Sequence, residues 1–320
     1  MKSLAIALVA AASTFALPTV AQTYPSKPIR VIVPVAPGGG NDIVARMLAQ
    51  KLTEAWGQQV IVDNRPGAAT TIGAEITARS NPDGYTLMFF SVSFAINAAV
   101  NPKLPFDPLR DFTPITLVAR VPQMLDVNPA LPAKSVKEFI ALAKAKPGQI
   151  NYASAGNGSS THLAMEIFTG MAGISLNHIP YKGTAPGMTD LLAGHVQAMW
   201  DAIPPSLPHI KSGRIRPLAV SNPQRFPVLP DVPTIAEEGW PQYTFASWFG
   251  MVAPVHTPVA IVDKLNHEIV RIIRLPEFRE RLLVIGVEPA GTSAPEFGRH
   301  LAKEIAETTD VVRKRNIRAE

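Results

Sequence analysis

Between Ile29 and Trp56 the chain reads IRVIVPVAPGGGNDIVARMLAQKLTEAW: a β-branched run, a turn rich in proline and glycine, and an amphipathic helix that starts at the turn. This junction constrains the fold more than any other stretch. An apolar run of Ile29, Val31, Ile32 and Val33, with little polar alternation, is expected where both faces of a sheet are covered. Pro34 and Pro37 stop the strand. Gly38, Gly39 and Gly40 carry no Cβ, so a ligand can lie against their N–H groups, and Asn41 or Asp42 is placed to cap the helix. Val44, Leu48 and Leu52, with Met47 beside them, turn one helix face to a core, and Gly57 ends the helix. Backbone donors and the positive end of the helix dipole therefore converge, which suits a carboxylate or phosphate without a cationic side chain. A tight connection whose glycines serve packing alone accounts for the same residues, and this stretch leaves both readings open. A nucleotide loop is the weaker reading, because the pattern is not G-x-G-x-x-G and the chain contains no G-x-x-x-x-G-K-[ST].

The design recurs in the middle of the chain. A strand expected over Ile150–Ala153 runs into SAGNGSSTHLAMEIF, where Gly156 and Gly158 free the backbone, Ser159 or Ser160 caps, and Leu163, Ile167 and Phe168 supply a buried face. Around the first junction, strands expected over Gln59–Val62 and Tyr85–Phe90 alternate with helices, which argues for a parallel α/β sheet. Ser91, Ser93 and Asn97 follow the third strand and are expected to form a polar loop at the sheet edge where open α/β folds bind ligands. The extended runs ITLVARVPQMLDV and YTFASWFGMVAP are long enough to cross between domains. The expected organisation is two lobes, one from residues 22–121 and 248–320 and one from residues 122–247, with a cleft between them as the natural ligand site.

Composition narrows the function classes. The chain has 320 residues, 47% apolar and 17% charged, which is ordinary for a globular protein with large cores. Residues 1–21 have Lys2 in a basic start, an apolar run from Leu4 to Leu17 and a small-residue site at Thr19–Ala21, the pattern of a cleaved export signal. The absence of cysteine excludes disulfides, thiolate metal sites, cysteine nucleophiles and a lipid anchor at the cleavage site. A net charge of +5 is mild, and its one basic cluster, Arg313, Lys314, Arg315 and Arg318, ends the last expected helix, so a nucleic-acid partner is not expected.

Beyond these physical readings, YPSKPIRVIVPVAPGGGNDIVAR, DNRPGAATTIGAE, GNGSSTHLAMEIF, HIPYKGTAPGMTDLLAGHVQAMWD, SGRIRPLAVS, LPDVPTIAEEG and SWFGMVAPVHTP occur in an order that resembles the Bug family of solute-binding proteins, the TctC-like receptors of tripartite tricarboxylate transporters. The resemblance covers essentially the whole chain after residue 21. It implies a two-lobed α/β fold of the type II periplasmic-binding (Venus flytrap) class. It also implies capture of a small carboxylated metabolite, an organic acid, aromatic acid or acidic amino acid, in the periplasm for a membrane permease. It implies no cofactor and no metal, and the expected state is a monomer. In the family two helix-capping loops hold the ligand carboxylate, partly through water, and these correspond here to Pro37, Gly38, Gly39, Gly40 and Asn41, and to Ser154 through Thr161 with Asn157, Gly158, Ser159 and Ser160. The stretch after the third strand, with Ser91 and Ser93, is a further candidate, although Phe94 stands where relatives often have a polar residue.

The remaining polar residues have competing readings. Ser159 or Ser160 with His162 would suggest a secreted hydrolase, but there is no G-x-S-x-G elbow, and Ser and His three residues apart on one helix need a remote third member. The seven histidines form no H-E-x-x-H or comparable pair. Tyr181 is a candidate cleft wall and Lys182 a solvated neighbour. Asp201 either caps the helix after Pro204 or accepts from an amino, amide or hydroxyl group of the ligand. A receptor that reports its liganded state to a signalling partner would have the same sequence features.

Overall fold

The computed structural model describes residues 24–181, 183–243 and 245–315. The expected export signal, Lys182 and Arg318 lie outside the described residues, as does the side chain of Arg315. In order, the larger sheet is built from β1 (Ile29–Val33), β2 (Val60–Asn64), β3 (Thr86–Ser91), β4 (Phe112–Val121), β10 (Ser247–Pro254) and β11 (Glu288–Pro289). The smaller contains β5 (Gln123–Val127), β6 (Asn151–Ser154), β7 (Asn177–Pro180), β8 (Ala198–Ala202) and β9 (Arg216–Val220). Strand orders are β11-β4-β10-β3-β1-β2 and β7-β6-β8-β5-β9. The fold is the expected two-lobed α/β architecture, with one sheet and its helices in each lobe.

The parallel arrangement expected around the first junction holds for β1, β2 and β3, and both sheets also contain antiparallel strands. β1 pairs parallel with β2 and β3, and β6 with β7 and β8, whereas β10 runs antiparallel to β3 and β4, and β5 antiparallel to β8 and β9. Chain direction explains the reversal. β1, β3, β6 and β8 run toward the cleft, but β5 and β10 each begin just after a crossing between the sheets, so both run away from it.

The larger sheet is covered on both faces, as its β-branched β1 requires. On one side α1 (Gly40–Trp56), α8 (Val259–Arg274) and α9 (Pro276–Val284) bury Val44, Leu48, Leu52, Leu265, Ile269 and Phe278. Full burial of such a side chain contributes about 1.5–3 kcal/mol, so this face alone anchors the junction that follows β1. On the other side α2 (Thr71–Ala78), α3 (Ser93–Val100) and α10 (Ala294–Arg315) cover Phe90, Phe94 and Phe297. In the smaller lobe α4 (Val136–Ala145) is capped by Ser135, whose hydroxyl accepts from Glu138 N. There α5 (Ser160–Ala172), α6 (Thr184–Ala193) and α7 (Ile203–Lys211) complete the layers.

The stretch after β3 also differs from expectation. Instead of a polar loop, β3 ends at Ser91 and α3 begins at Ser93. The apolar residues decide this: Phe94 is 1% exposed and packs against Phe90, Phe106 and Phe112, which draws the segment into a helix. At the far end of α10, Arg313 and Lys314 pair with Asp310 on the helix surface.

Candidate functional site

Two helices point their first turns at one cavity. β1 delivers the chain to Gly38, whose φ of +89° favours glycine, and Gly39 is the N-cap of α1 with no side-chain cap bond. The expectation that Asn41 or Asp42 caps is therefore corrected. Asp42 instead turns its carboxylate back on the turn, accepting from Gly38 N at 2.9 Å, from Arg46 Nε at 3.0 Å and from Asn64 Nδ2 at 2.9 Å. Burial pushes its pKa up, but bonds from Arg46, Gly38 and Asn64 outweigh this and hold it below the ordinary value. The Gly38 donor is thus already satisfied from within. The first-turn N–H groups of Gly40, Asn41 and Asp42 have no intrahelical acceptor, as at any helix start. Asn41 is buried with neither amide atom partnered.

The second loop is knitted more tightly. Ser154 is fully buried beneath it, its hydroxyl 2.6 Å from His178 Nε2 and accepting from Gly156 N at 3.1 Å. Ala155 N donates to Thr161 Oγ1, Gly158 N donates to His162 Nδ1, and Ser159 caps α5 by accepting from His162 N. His162 and His178 stack with ring centroids 4.0 Å apart. Burial pushes both imidazoles down to about 4, with His162 adding to the effect on His178. His162 is therefore neutral at pH 7, with Nδ1 free of a proton to accept from Gly158. The first-turn donors left at this end are the N–H groups of Ser160 and Thr161.

These ends meet at a cavity of about 680 Å³ lined by Gly38 and Gly40 of the first lobe and Ser160 and Thr161 of the second. Its floor is the pair of crossings, Val121 to Gln123 and Ser247 to Phe249, and its apolar rim includes Ile43, Leu207, Val284 and Val287. Among the described residues that line it there is no lysine, arginine or histidine, and the one ionisable side chain is Asp201. A second cavity of about 650 Å³ is lined by Ser93, Asn97, Asn157, Gly158, Ser159 and the turn Gly67–Thr70. In that turn Ala68, Ala69 and Thr70 all have positive φ, a run of left-handed residues that marks stored backbone strain.

The structure therefore brings Gly38, Gly40, Ser160, Thr161 and Asp201 to one cavity, and Ser93, Asn157, Gly158 and Ser159 to its neighbour. Pro37, Gly39, Asn41, Ser91, Ser154 and Tyr181 line neither, and the Tyr181 hydroxyl donates to Asp190. Asp201 does not cap α7: the N-cap is Ala202, and the Asp201 carboxylate accepts from Ala202 N. Gln123 and Phe249 were missed, although a glutamine at a proline-marked crossing in an otherwise apolar run is a signal that could have found the first. The Ser–His hydrolase geometry is absent as well, since His162 Nδ1 addresses a backbone N–H and Ser154, the serine at a histidine ring, is closed to solvent.

Comparison with known proteins is decisive for the family. The model of the tripartite tricarboxylate transporter family receptor, TctC, matches residues 44–317. The chain belongs to this family. It is 38% identical over 311 residues to protein BugT of Bordetella pertussis, covering 97% of this chain and 95% of that protein. The receptor superposes on R. palustris Rpa4515 with adipate at a TM-score of 0.82 and 38% identity, covering 92% of this chain and 99% of that one. MatC from Rhodopseudomonas palustris with bound malate gives a TM-score of 0.77 at 31% identity, over 90% of this chain and all of MatC (100%). The TctC receptors are binding proteins, and the receptor is accordingly a solute-binding protein and not an enzyme.

Proposed function

We propose that this receptor captures a small carboxylate in the periplasm and delivers it to a tripartite tricarboxylate-type permease, holding the carboxylate between the first turns of α1 and α5. The observation that carries the reading is the convergence of two helix N-termini, one from each lobe, on a cavity without a basic side chain among its described lining residues. Helix-start N–H groups and aligned dipoles are a sufficient anion seat, and neutral donors avoid the cost of burying a permanent cation. The adipate and malate held by two relatives are carboxylates of a size such a cavity accepts. Capture would close lobe 22–121 with 248–320 onto lobe 122–247 about the crossings near Val121 and Ser247, the few residues there absorbing the motion. Residues 1–21 would direct export, and the receptor would act as a monomer.

Thermal shift against a panel of mono-, di- and tricarboxylates, aromatic acids and acidic amino acids tests this. A ligand at 100 times its dissociation constant stabilises the native state by about 2.7 kcal/mol, so at least one carboxylate is expected to raise the melting temperature by several degrees. A flat response across the panel would remove the reading.

A further inference from the structure

The cavity wall formed by the end of β8 carries a feature that anion capture by backbone donors does not use. Asp201 on β8 is 2% exposed, and its Oδ2 has no hydrogen-bond partner. Asp201 lies opposite Met124 of the neighbouring strand β5, so its side chain is on the same face of the sheet as that of Asp126 two residues along. Asp126 is completely buried. One of its oxygens accepts from Ser206 of α7 at 2.7 Å and the other has no partner. Gln123, which lines the cavity beside Asp201, is 3% exposed and leaves its amide oxygen unpartnered.

Two buried carboxyls in diagonal register on one sheet face, each with an unmet oxygen, normally have a cation between them or a proton on at least one. The influences on this pair are burial, the Ser206 hydroxyl, the Ala202 N–H and the charge of Asp201 on Asp126; among the described residues no basic side chain of β5, β8, β9 or α7 acts on either. Asp126, the more deeply buried, is held well above the ordinary carboxylate range by burial and, in smaller part, by Asp201. Asp201 alone of the pair lines the cavity. An anion brought into that cavity adds a second negative charge to an already desolvated carboxylate, and the combination is resolved when the carboxylate takes a proton and becomes a donor.

We propose that Asp201 is a proton-linked ligand residue: the receptor binds its carboxylate together with one proton, which Asp201 holds and donates as a hydrogen bond to the part of the ligand away from the α1 and α5 starts. This rests on the carboxylate-capture reading and adds a ligand class to it, carboxylates whose far end is itself an acceptor, such as a second carboxylate or a carbonyl. Burial places the free Asp201 carboxyl at about 7, so the proton is taken up on binding above that pH and is already present below it.

The test is calorimetric titration of wild type with adipate, malate and the strongest binder of a carboxylate panel, at pH 6 and pH 8, in pairs of buffers of different ionisation enthalpy. The buffer dependence of the heat counts protons directly. Uptake of close to one proton at pH 8 and much less at pH 6 is expected, with affinity falling by up to tenfold per pH unit above 7. Asp201→Asn should abolish both the proton count and the pH slope. Glu304→Gln should keep them, since Glu304, also raised to about 7 mainly by burial, lines a separate groove between α5 and α10. Binding with no proton uptake in wild type, or an Asp201→Asn variant that keeps the wild-type slope, would overturn the proposal while leaving carboxylate capture intact. A preference for amino-bearing carboxylates whose affinity rises with pH would also overturn it, because it requires an ionised Asp201 as acceptor. No heat with any carboxylate would instead defeat the capture reading on which it rests.

Discussion

His162 performs its structural role only while it is neutral, because the Nδ1 that accepts from Gly158 N would carry a proton in the charged ring. Burial has lowered its pKa from an ordinary 6.5 to about 4, so the unfolded chain binds the proton more readily than the folded one in that interval. The stabilising effect of the neutral ring is therefore complete above about pH 6.5 and is lost as pH falls toward 4, amounting to roughly 3 kcal/mol from this residue. Urea denaturation at pH 7 and pH 4.5 should show that loss, and His162→Asn, which retains a side-chain acceptor but does not titrate, should show a distinctly shallower one. Equal pH dependence of both proteins would mean that the stacked histidines do not govern the second loop. At this scale the glycines of both loops were legible, because freedom from Cβ and a positive φ can be read from residue type. The use of Asp42 was not. A carboxylate at that position either caps or turns back on the loop depending on Arg46 and on Asn64 from the next strand, and that partner is set by the fold.

Helices with a clear apolar stripe were readable from their period: α1 and α5 lie close to where the spacing puts them. Strand direction was not, since nothing in YTFASWFGMVAP records which way the chain enters the sheet. Nor was the place of Gly250 inside β10. A Cβ built there would come within 2.2 Å of Phe297 Cζ, and Phe297 is fully buried at the packing of α10 on the sheet. The glycine is a packing requirement between two elements that are adjacent only in space. Gly250→Ala should therefore destabilise the protein by about 1–3 kcal/mol, the usual cost of overpacking a filled core. A denaturation midpoint unchanged from wild type would show that α10 shifts freely on the sheet. The α3 segment failed for the complementary reason: its serines suggested a loop, while Phe94 had a ready aromatic cluster to join.

At the scale of the molecule, each lobe brings one helix start to the cavity, and neither start alone surrounds it. The two-lobed arrangement was legible from the recurrence of one strand–turn–helix design on either side of a crossing. The distribution of candidate residues between two neighbouring cavities was not, because it depends on how the lobes face each other. If the carboxylate is shared between α1 and α5, closing off one start must remove binding even though the other is intact. Gly39 permits that without damage to the fold: its φ is −79°, and a Cβ there meets no atom within 4 Å. Calorimetric titration of wild type and Gly39→Val with the carboxylate giving the largest thermal shift is the most direct measurement. Loss of detectable binding in Gly39→Val at an unchanged melting temperature is the predicted result, and wild-type affinity in the variant would contradict the account.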